Sequence, residues 1–175
     1  VEASGEGRKR QAPPMLTALL AAIERVVVHD SVPLVIRAYG WYRLLRHWTA
    51  MRFDDGNGLY PSSLTLRARG LFGLLTGTKT SGADKGSTVL PIYVSKDAHL
   101  EQEWLEPGLA LWTTALDFPR DHLLVLPNED FSGTCGKKAK YSDAQGFSRS
   151  VMAMLKAPDG SPLLLQEALG LWPEH

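Results

Sequence analysis

Two stretches of sequence decide the fold: LTLRARGLFGLLTGT at residues 64–78 and TVLPIYV at residues 88–94. In the first, residues 64–68 alternate apolar and polar side chains, and residues 71–78 are apolar and rich in threonine. The second stretch is rich in β-branched residues. These features are typical of β-strands. Because strand-like periodicity occurs only here, the sequence predicts one small three-stranded antiparallel sheet, inserted between helices.

Helical periodicity comes before this sheet. A first helix is expected from Pro14, with apolar residues recurring at three- and four-residue steps up to Val27. A second helix should carry Pro33 in its first turn, with Asp30 or Ser31 as its cap. Its wide apolar stripe comprises Leu34, Ala38, Trp41, Leu45 and Trp48. Turn-forming residues at 54–58 then predict a loop leading into the sheet.

Helical patterns also follow the sheet. We expect a helix over residues 97–116, interrupted at Pro107-Gly108, and another over residues 142–156, where Ser142 and Gln145 have capping-box spacing. A last short helix is predicted over residues 161–170, and a mobile loop over residues 128–140. The fold class is therefore mainly α (α+β), a helical bundle with a small three-stranded antiparallel sheet.

Composition and charge limit the classes of protein that fit. The chain has 175 residues, 44% of them hydrophobic and 22% charged, which is ordinary for one globular domain. Its 19 basic and 19 acidic residues cancel, so affinity for nucleic acid must come from local clusters. Cys135 is the only cysteine, which excludes an internal disulfide and a cysteine-based zinc cluster and suits a reducing compartment. We expect an intracellular protein without a membrane segment, a metal or a cofactor.

The two ends differ from the rest of the chain. Residues 1–13 are small, polar and basic, which predicts a disordered tail before a single domain over residues 14–175. The chain begins with Val rather than Met, and its last residues follow closely on a predicted helix. Both ends are therefore expected to be cut.

The usual signatures of enzymes are missing from the sequence. It has no glycine-rich phosphate loop before a helix, no histidine pair at ligand spacing and no serine elbow. What remains is an order of elements. A helix that carries Arg43 and Arg46 ends near Arg52, and the following sheet has a Gly- and Thr-rich turn around Lys79.

This order resembles the catalytic domain of tyrosine recombinases of the phage-integrase type. In that family a helix bearing the first catalytic arginine leads into a short three-stranded sheet with a lysine on a hairpin turn. Arg43 lies eleven positions before Asp54, as the family's arginine lies before an Asp, and Lys79 stands at the place of its lysine. Residues 171–175, Leu-Trp-Pro-Glu-His, are similar to the Trp-x-x-His that opens the family's His-x-x-Arg box.

The resemblance extends to recombinase-like reading frames of protist genomes. It covers residues 14–175 and is carried by four short motifs: Arg52-Phe53-Asp54-Asp55, Lys79-Thr80-Ser81-Gly82, Pro119-Arg120-Asp121 and Tyr141-Ser142-Asp143-Ala144. It implies a partial tyrosine-recombinase fold, cut before the second arginine and the tyrosine nucleophile. The expected partner is DNA, with self-association in the complete protein and a nuclear location if the source is eukaryotic.

The resemblance also implies the roles of individual residues. Arg43 would stabilise the negative charge that builds on the phosphorane oxygens, Lys79 would protonate the leaving 5′ oxygen, and His175 would position or exchange a proton. A second group of basic residues is assigned to DNA phosphates: Arg46, Arg52 and Lys85. In this assignment Arg46 points towards solvent or the DNA backbone.

Several alternatives stay open at this point. Many family members have Glu three residues after the arginine, where this chain has Arg46. The alternative to Arg43 is therefore a shifted register in which Arg46 is the catalytic arginine. Without the resemblance, Arg43 and Arg46 are a solvated basic face of an amphipathic helix, and Lys79 is an exposed hairpin lysine. The alternative functions are a non-catalytic DNA-binding or protein-interaction module derived from the fold, and a helical scaffold unrelated to recombination.

Overall fold

The computed structural model describes residues 14–76 and 89–172. Its helices and strands in chain order are α1 (Thr17–Val28), α2 (Leu34–Thr49), α3 (Phe53–Asn57), β1 (Thr65–Arg67), β2 (Gly70–Thr76), β3 (Val89–Ser95), α4 (Leu105–Ala110), β4 (Val125–Pro127), β5 (Thr134–Lys138) and α5 (Tyr141–Met154). The described residues thus form an α+β fold of helices with a three-stranded and a two-stranded antiparallel sheet. The expected tail at residues 1–13 lies outside them.

Helix α2 lies at the centre of the core. Trp41 is fully buried on it, packs against the rings of Trp104 and Trp112, and donates its indole N–H to the carbonyl of Leu105 at 2.9 Å. Gly108 in α4 makes this approach possible, because a Cβ atom there would lie 2.0 Å from the Trp41 ring. The apolar stripe of the sequence is therefore the core face of α2, except at its end, where Trp48 is 38% exposed.

The predicted three-stranded antiparallel sheet is confirmed, in the order β1-β2-β3. Strands β2 and β3 pair along their full lengths, with Leu71 opposite Val94 and Phe72 opposite Tyr93. Alternation divides the strands into two faces. The face with Leu71 and Val94 is buried in the core, and the face with Tyr93 is open to solvent.

A second sheet corrects the expectation that strands occur only between residues 64 and 94. Strand β5 lies within residues 128–140, the stretch that was expected to be a mobile loop, and pairs antiparallel with β4 just before that stretch. The loop between the two strands is closed by a backbone hydrogen bond, in which the Asn128 N–H donates to the carbonyl of Gly133 at 2.8 Å. Gly136 in β5 has a φ of +73°, which only glycine adopts freely. Gly136 therefore allows the backbone conformation that β5 adopts at this position, and it does not mark a flexible loop.

Three helix boundaries also differ from the expectations. Residues 54–58 were expected to form a loop, but most of them belong to α3, where the Asp55 carboxylate accepts the backbone N–H of Arg52 at 3.3 Å. Residues 97–104 precede α4 and are not helical, while α4 runs through Pro107 because proline in a first turn removes no helical hydrogen bond. Only a short 3-10 turn, Gln166–Ala168, forms within residues 161–170.

Two predicted helix caps are wrong. Neither Asp30 nor Ser31 caps α2: the Asp30 carboxylate pairs with Arg37 at 2.8 Å, and the Ser31 hydroxyl contacts the His29 ring at 2.9 Å. At the start of α5 the cap comes from Asp143 instead of the Ser142 and Gln145 pair. Its carboxylate accepts the backbone N–H of Lys140 at 2.8 Å. Helix α2 thus has no side-chain cap, whereas at α5 an aspartate takes the place of the expected serine.

A buried carboxylate joins α1 to the segment after β3. Glu24 is fully buried, and its oxygens accept the backbone N–H groups of Leu100, Glu101 and Gln102 at 2.9 to 3.1 Å. These three groups converge on one anion, as backbone N–H groups do in anion-binding turns. Local sequence patterns could not predict this contact, because the two partners are more than 70 residues apart along the chain.

Candidate functional site

Arg43 connects three parts of the chain. Its guanidinium Nη1 donates to the hydroxyl of Ser148 on α5, and its Nη2 donates to the carbonyl of Trp172 at 3.1 Å. The Ser148 hydroxyl in turn donates to the same carbonyl at 3.4 Å. The Trp172 indole donates to the carbonyl of Pro14 at 3.3 Å. Arg43, Ser148 and Trp172 therefore form a buried cluster, which we call the arginine cluster.

The packing of α2 against α5 sets the position of Arg43. One turn earlier on α2, Tyr39 donates its hydroxyl to the carbonyl of Ala144 at 3.0 Å and packs edge-on against Phe147. Residues three and four apart on a helix share a face. Ala144 therefore contacts Tyr39, and Ser148, one turn later on α5, contacts Arg43, one turn later on α2. Ser148 is thus a polar residue on the apolar face of α5, and it is only 2% exposed.

Arg46 lies one turn beyond Arg43 and is also buried. The guanidinium carbon of Arg46 lies 5.5 Å from the ring centre of Tyr42 and 5.6 Å from that of Phe53. Gly56 leaves room for its stem, since a Cβ atom there would lie 3.0 Å from Arg46 Cγ. Stacking of this kind stabilises an arginine within a protein interior. Arg46 therefore links α2 to α3.

Two expectations about these arginines are wrong. Arg43 and Arg46 are each 7% exposed, so they do not form a solvated basic face, and Arg46 does not point towards solvent. The reason is that the helix face which carries them is covered by α5, by α3 and by the segment that ends at Trp172. Burial of two guanidinium groups is costly unless specific partners compensate for it.

The remaining predicted site residues are located only in part. Arg52 is exposed at the N-terminus of α3, where its side chain is accessible to a ligand. Lys79, Lys85 and His175 lie outside the described residues, and their roles stay predictions. Trp172, three positions before His175, is the nearest described residue to that histidine in sequence.

A small cleft opens beside the arginine cluster. Its lining comprises Gln145, Ser148, Arg149, Leu169, Gly170 and Trp172. Arg149 is exposed here, and a Cβ atom on Gly170 would lie 3.8 Å from its guanidinium. The cleft thus combines a charged side chain at the surface with the buried hydroxyl that contacts Arg43. Sequence reasoning missed both residues, although a serine at a core position of α5 was a visible signal.

The charge of Arg43 affects a neighbouring titratable group. Partial burial lowers the pKa of His47, and the positive charge of Arg43 lowers it further. His47 lies on the next turn of α2 and packs edge-on against Trp48 at 6.0 Å between ring centres. Burial is the larger of these two causes, so the lowered pKa of His47 reflects mainly its packing and only in part the charge of Arg43.

Arg120, from another of the motifs that carry the resemblance, has a local structural role. Its Nη1 donates to the carbonyls of Leu116 at 2.6 Å and Phe118 at 3.1 Å, and its guanidinium lies 4.4 Å from the Phe118 ring centre. Burial lowers the pKa of Arg120, while the charge of Asp117 raises it. Arg120 therefore fixes the turn at residues 116–120.

The described residues show no metal site and no membrane-spanning helix. Among residues 14–76 and 89–172, no group of three histidine, cysteine, aspartate or glutamate side chains is arranged to hold a metal ion. Within the same described ranges no helix is long and apolar enough to cross a bilayer. No known protein family, no curated protein and no solved structure matches this chain. Its function must therefore be proposed from its own residues.

Proposed function

We propose that this chain is part of the catalytic domain of a tyrosine recombinase, which cuts and rejoins DNA when residues beyond His175 complete it. The observation that carries the proposal is the arginine cluster. Arg43, predicted from its position before Asp54, donates to the backbone carbonyl of Trp172, which was predicted separately from its spacing to His175. Two residues 129 positions apart in sequence are thus in contact, as two parts of one site would be.

The geometry suits the chemistry proposed for Arg43. Attack on a phosphodiester places negative charge on the phosphorane oxygens, and guanidinium donors stabilise it best when they need no reorganisation. Contacts with Ser148 and Trp172 orient the Arg43 guanidinium before any ligand binds. In this proposal Lys79 protonates the leaving oxygen and His175 exchanges a proton, while an attacking tyrosine lies further along the chain.

One observation favours a second candidate, a non-catalytic DNA-binding or protein-interaction module with the same fold. Arg43 is only 7% exposed, and it donates to acceptors of the protein itself. Such an arginine stabilises the packing of α2 on α5 without a ligand. In this case the arginine cluster is structural and its substitution affects folding alone.

A covalent trapping experiment separates these candidates. A nicked suicide duplex is mixed with the 175-residue chain and with a longer chain that continues past His175. We expect a covalent protein–DNA adduct only with the longer chain. In that chain Arg43→Ala should lower the cleavage rate on the order of a hundredfold or more, because it removes a donor to the transition state.

Matched variants keep this test specific. Arg37 is a partly buried arginine on the same helix, paired with Asp30, and Arg37→Ala should leave cleavage within about threefold of the unsubstituted chain. Circular dichroism at the assay temperature identifies any variant that fails to fold. An adduct with the 175-residue chain, or a folded Arg43→Ala variant that cleaves normally, would contradict the proposal. Loss of cleavage in Arg46→Ala but not in Arg43→Ala would indicate the shifted register.

A further inference from the structure

The open face of the three-stranded sheet carries an unusual set of side chains. Strand register places the following residues on this face, which we call the outer sheet face: Arg67, Phe72, Leu74, Val89, Pro91 and Tyr93. Leu74, Val89 and Tyr93 are all at least 43% exposed. Large exposed apolar patches on a folded protein usually mark a binding surface.

Tyr93 lies flat on this face. Its hydroxyl donates to the carbonyl of Arg69 at 2.8 Å, which holds the ring across the sheet. Gly70 lies beneath the ring, since a Cβ atom there would be 2.7 Å from one ring carbon. Because one side of the ring packs on the strand and the side chain is still 46% exposed, much of the other side faces solvent.

Phe72 and Arg67 extend the flat surface. The ring centre of Phe72 lies 4.8 Å from that of Tyr93 across the β2–β3 pair. The Arg67 guanidinium carbon lies 4.7 Å from the ring centre of Phe72. A cross-strand aromatic pair stabilises a sheet by itself, and this accounts for the pairing. It does not account for the guanidinium held over the pair at an exposed face.

The charges on this face are of one sign. Among its described residues there is no aspartate or glutamate, and Arg67 is joined by the exposed Arg69 at the β1–β2 turn. Aromatic rings beside arginines form the surface on which single-stranded nucleic acids bind, since bases stack on the rings and phosphates pair with the cations. A duplex keeps its base faces stacked internally and cannot use such rings.

We propose that the outer sheet face binds single-stranded nucleic acid. Bases stack on the open side of the Tyr93 ring, beside which Phe72 widens the apolar surface, and Arg67 and Arg69 contact the phosphates. This surface is formed by residues other than those of the arginine cluster. The inference therefore holds or fails independently of strand cleavage.

Fluorescence anisotropy with the full 175-residue chain tests this inference. The probes are labelled dT20, labelled rU20 and a labelled 20-base-pair duplex, each at several salt concentrations. We expect both single strands to bind more tightly than the duplex, and Tyr93→Leu to weaken single-strand binding about tenfold, because it removes one stacking ring. Tyr93→Phe keeps the ring and should retain most of the affinity.

Two controls decide what a loss of binding means. Trp48→Leu removes another exposed aromatic, at the end of α2, and should leave single-strand affinity unchanged. Thermal melting of each variant identifies unfolding.

Arg67→Gln should reduce the salt dependence of single-strand binding by about one phosphate contact.

Three results would overturn the inference. The first is that Tyr93→Leu and Trp48→Leu lose single-strand affinity equally, and the second is that the protein binds the duplex more tightly than the single strands. The third is self-association of the protein, measured by light scattering, that depends on Tyr93. The last result would assign the face to a protein contact. A preference between dT20 and rU20 would identify the type of strand.

Discussion

Removal of the Ser148 hydroxyl tests the arginine cluster most directly. Ser148→Ala deletes the acceptor of the Arg43 Nη1 donor at a position that is 2% exposed. Hydrogen bonds to charged groups contribute about 1.5 to 3 kcal/mol, and a buried donor that loses its acceptor forfeits that contribution. We therefore expect a loss of about 2 kcal/mol in the free energy of unfolding.

Thermal and urea unfolding of four proteins would measure this loss: the unsubstituted chain, Ser148→Ala, Arg43→Met and the double variant. For a chain of this size, 2 kcal/mol lowers Tm by about 4 to 8 °C. The two single effects should not add, because each removes the same contact, and the coupling energy should be about 1.5 kcal/mol or more.

Ser150 provides the matched control on the same helix. Its hydroxyl donates to the carbonyl of Gly146, one turn earlier on the same helix, at 3.2 Å. Ser150→Ala should therefore change stability by less than about 0.5 kcal/mol. A coupling energy between Arg43 and Ser148 below about 0.5 kcal/mol would refute the reasoning, since the guanidinium would then not depend on the hydroxyl.

Three further predictions concern other parts of the fold. Glu24→Ala removes the acceptor of three backbone N–H groups and should cost about 3 kcal/mol or more in urea unfolding, whereas a loss under 1 kcal/mol would mean that water replaces the carboxylate. Gly108→Ala places a methyl group against the buried ring of Trp41 and should cost about 3 kcal/mol, and an unchanged Tm would show that the helices can separate freely. His47 has a lowered pKa in the folded chain, so the unfolded chain binds its proton more readily, and stability should fall as pH drops below the ordinary value of 6.5. This fall should be smaller in His47→Gln, and identical pH profiles of the two proteins would contradict it.

Local sequence patterns were sufficient for the main elements of the fold. Helices α1, α2 and α5 and all three strands of the first sheet follow from the spacing of apolar residues, because each has one buried face. The second sheet could not be predicted this way. Strand β5 is mostly exposed and contains glycine and lysine, so it shows no apolar alternation. Its assignment as a strand depends on its backbone pairing with β4, which the side-chain pattern does not indicate.

The candidate site could be predicted less well than the fold. Periodicity placed Arg43 on a helix, but it could not indicate that α5 and the segment before Trp172 cover that helix face. The expectation that Arg46 points towards solvent followed from placing Arg43 at the catalytic position. The guanidinium of Arg46 instead packs against the rings of Tyr42 and Phe53, and Phe53 comes from a different helix.

The indole contact between Trp172 and Pro14 has a consequence for connectivity. It joins two positions 158 residues apart, so both ends of the described chain meet at one place. A few glycines could therefore link residue 172 to residue 14 at little cost in chain entropy. New ends could be opened in the exposed turn at Asp159-Gly160, where Gly160 has a φ of +84° and no neighbour within 4 Å of an added Cβ atom. Such a circular permutant should have a Tm close to that of the original chain, because it keeps the same packing contacts and changes only the order in which the chain connects the elements.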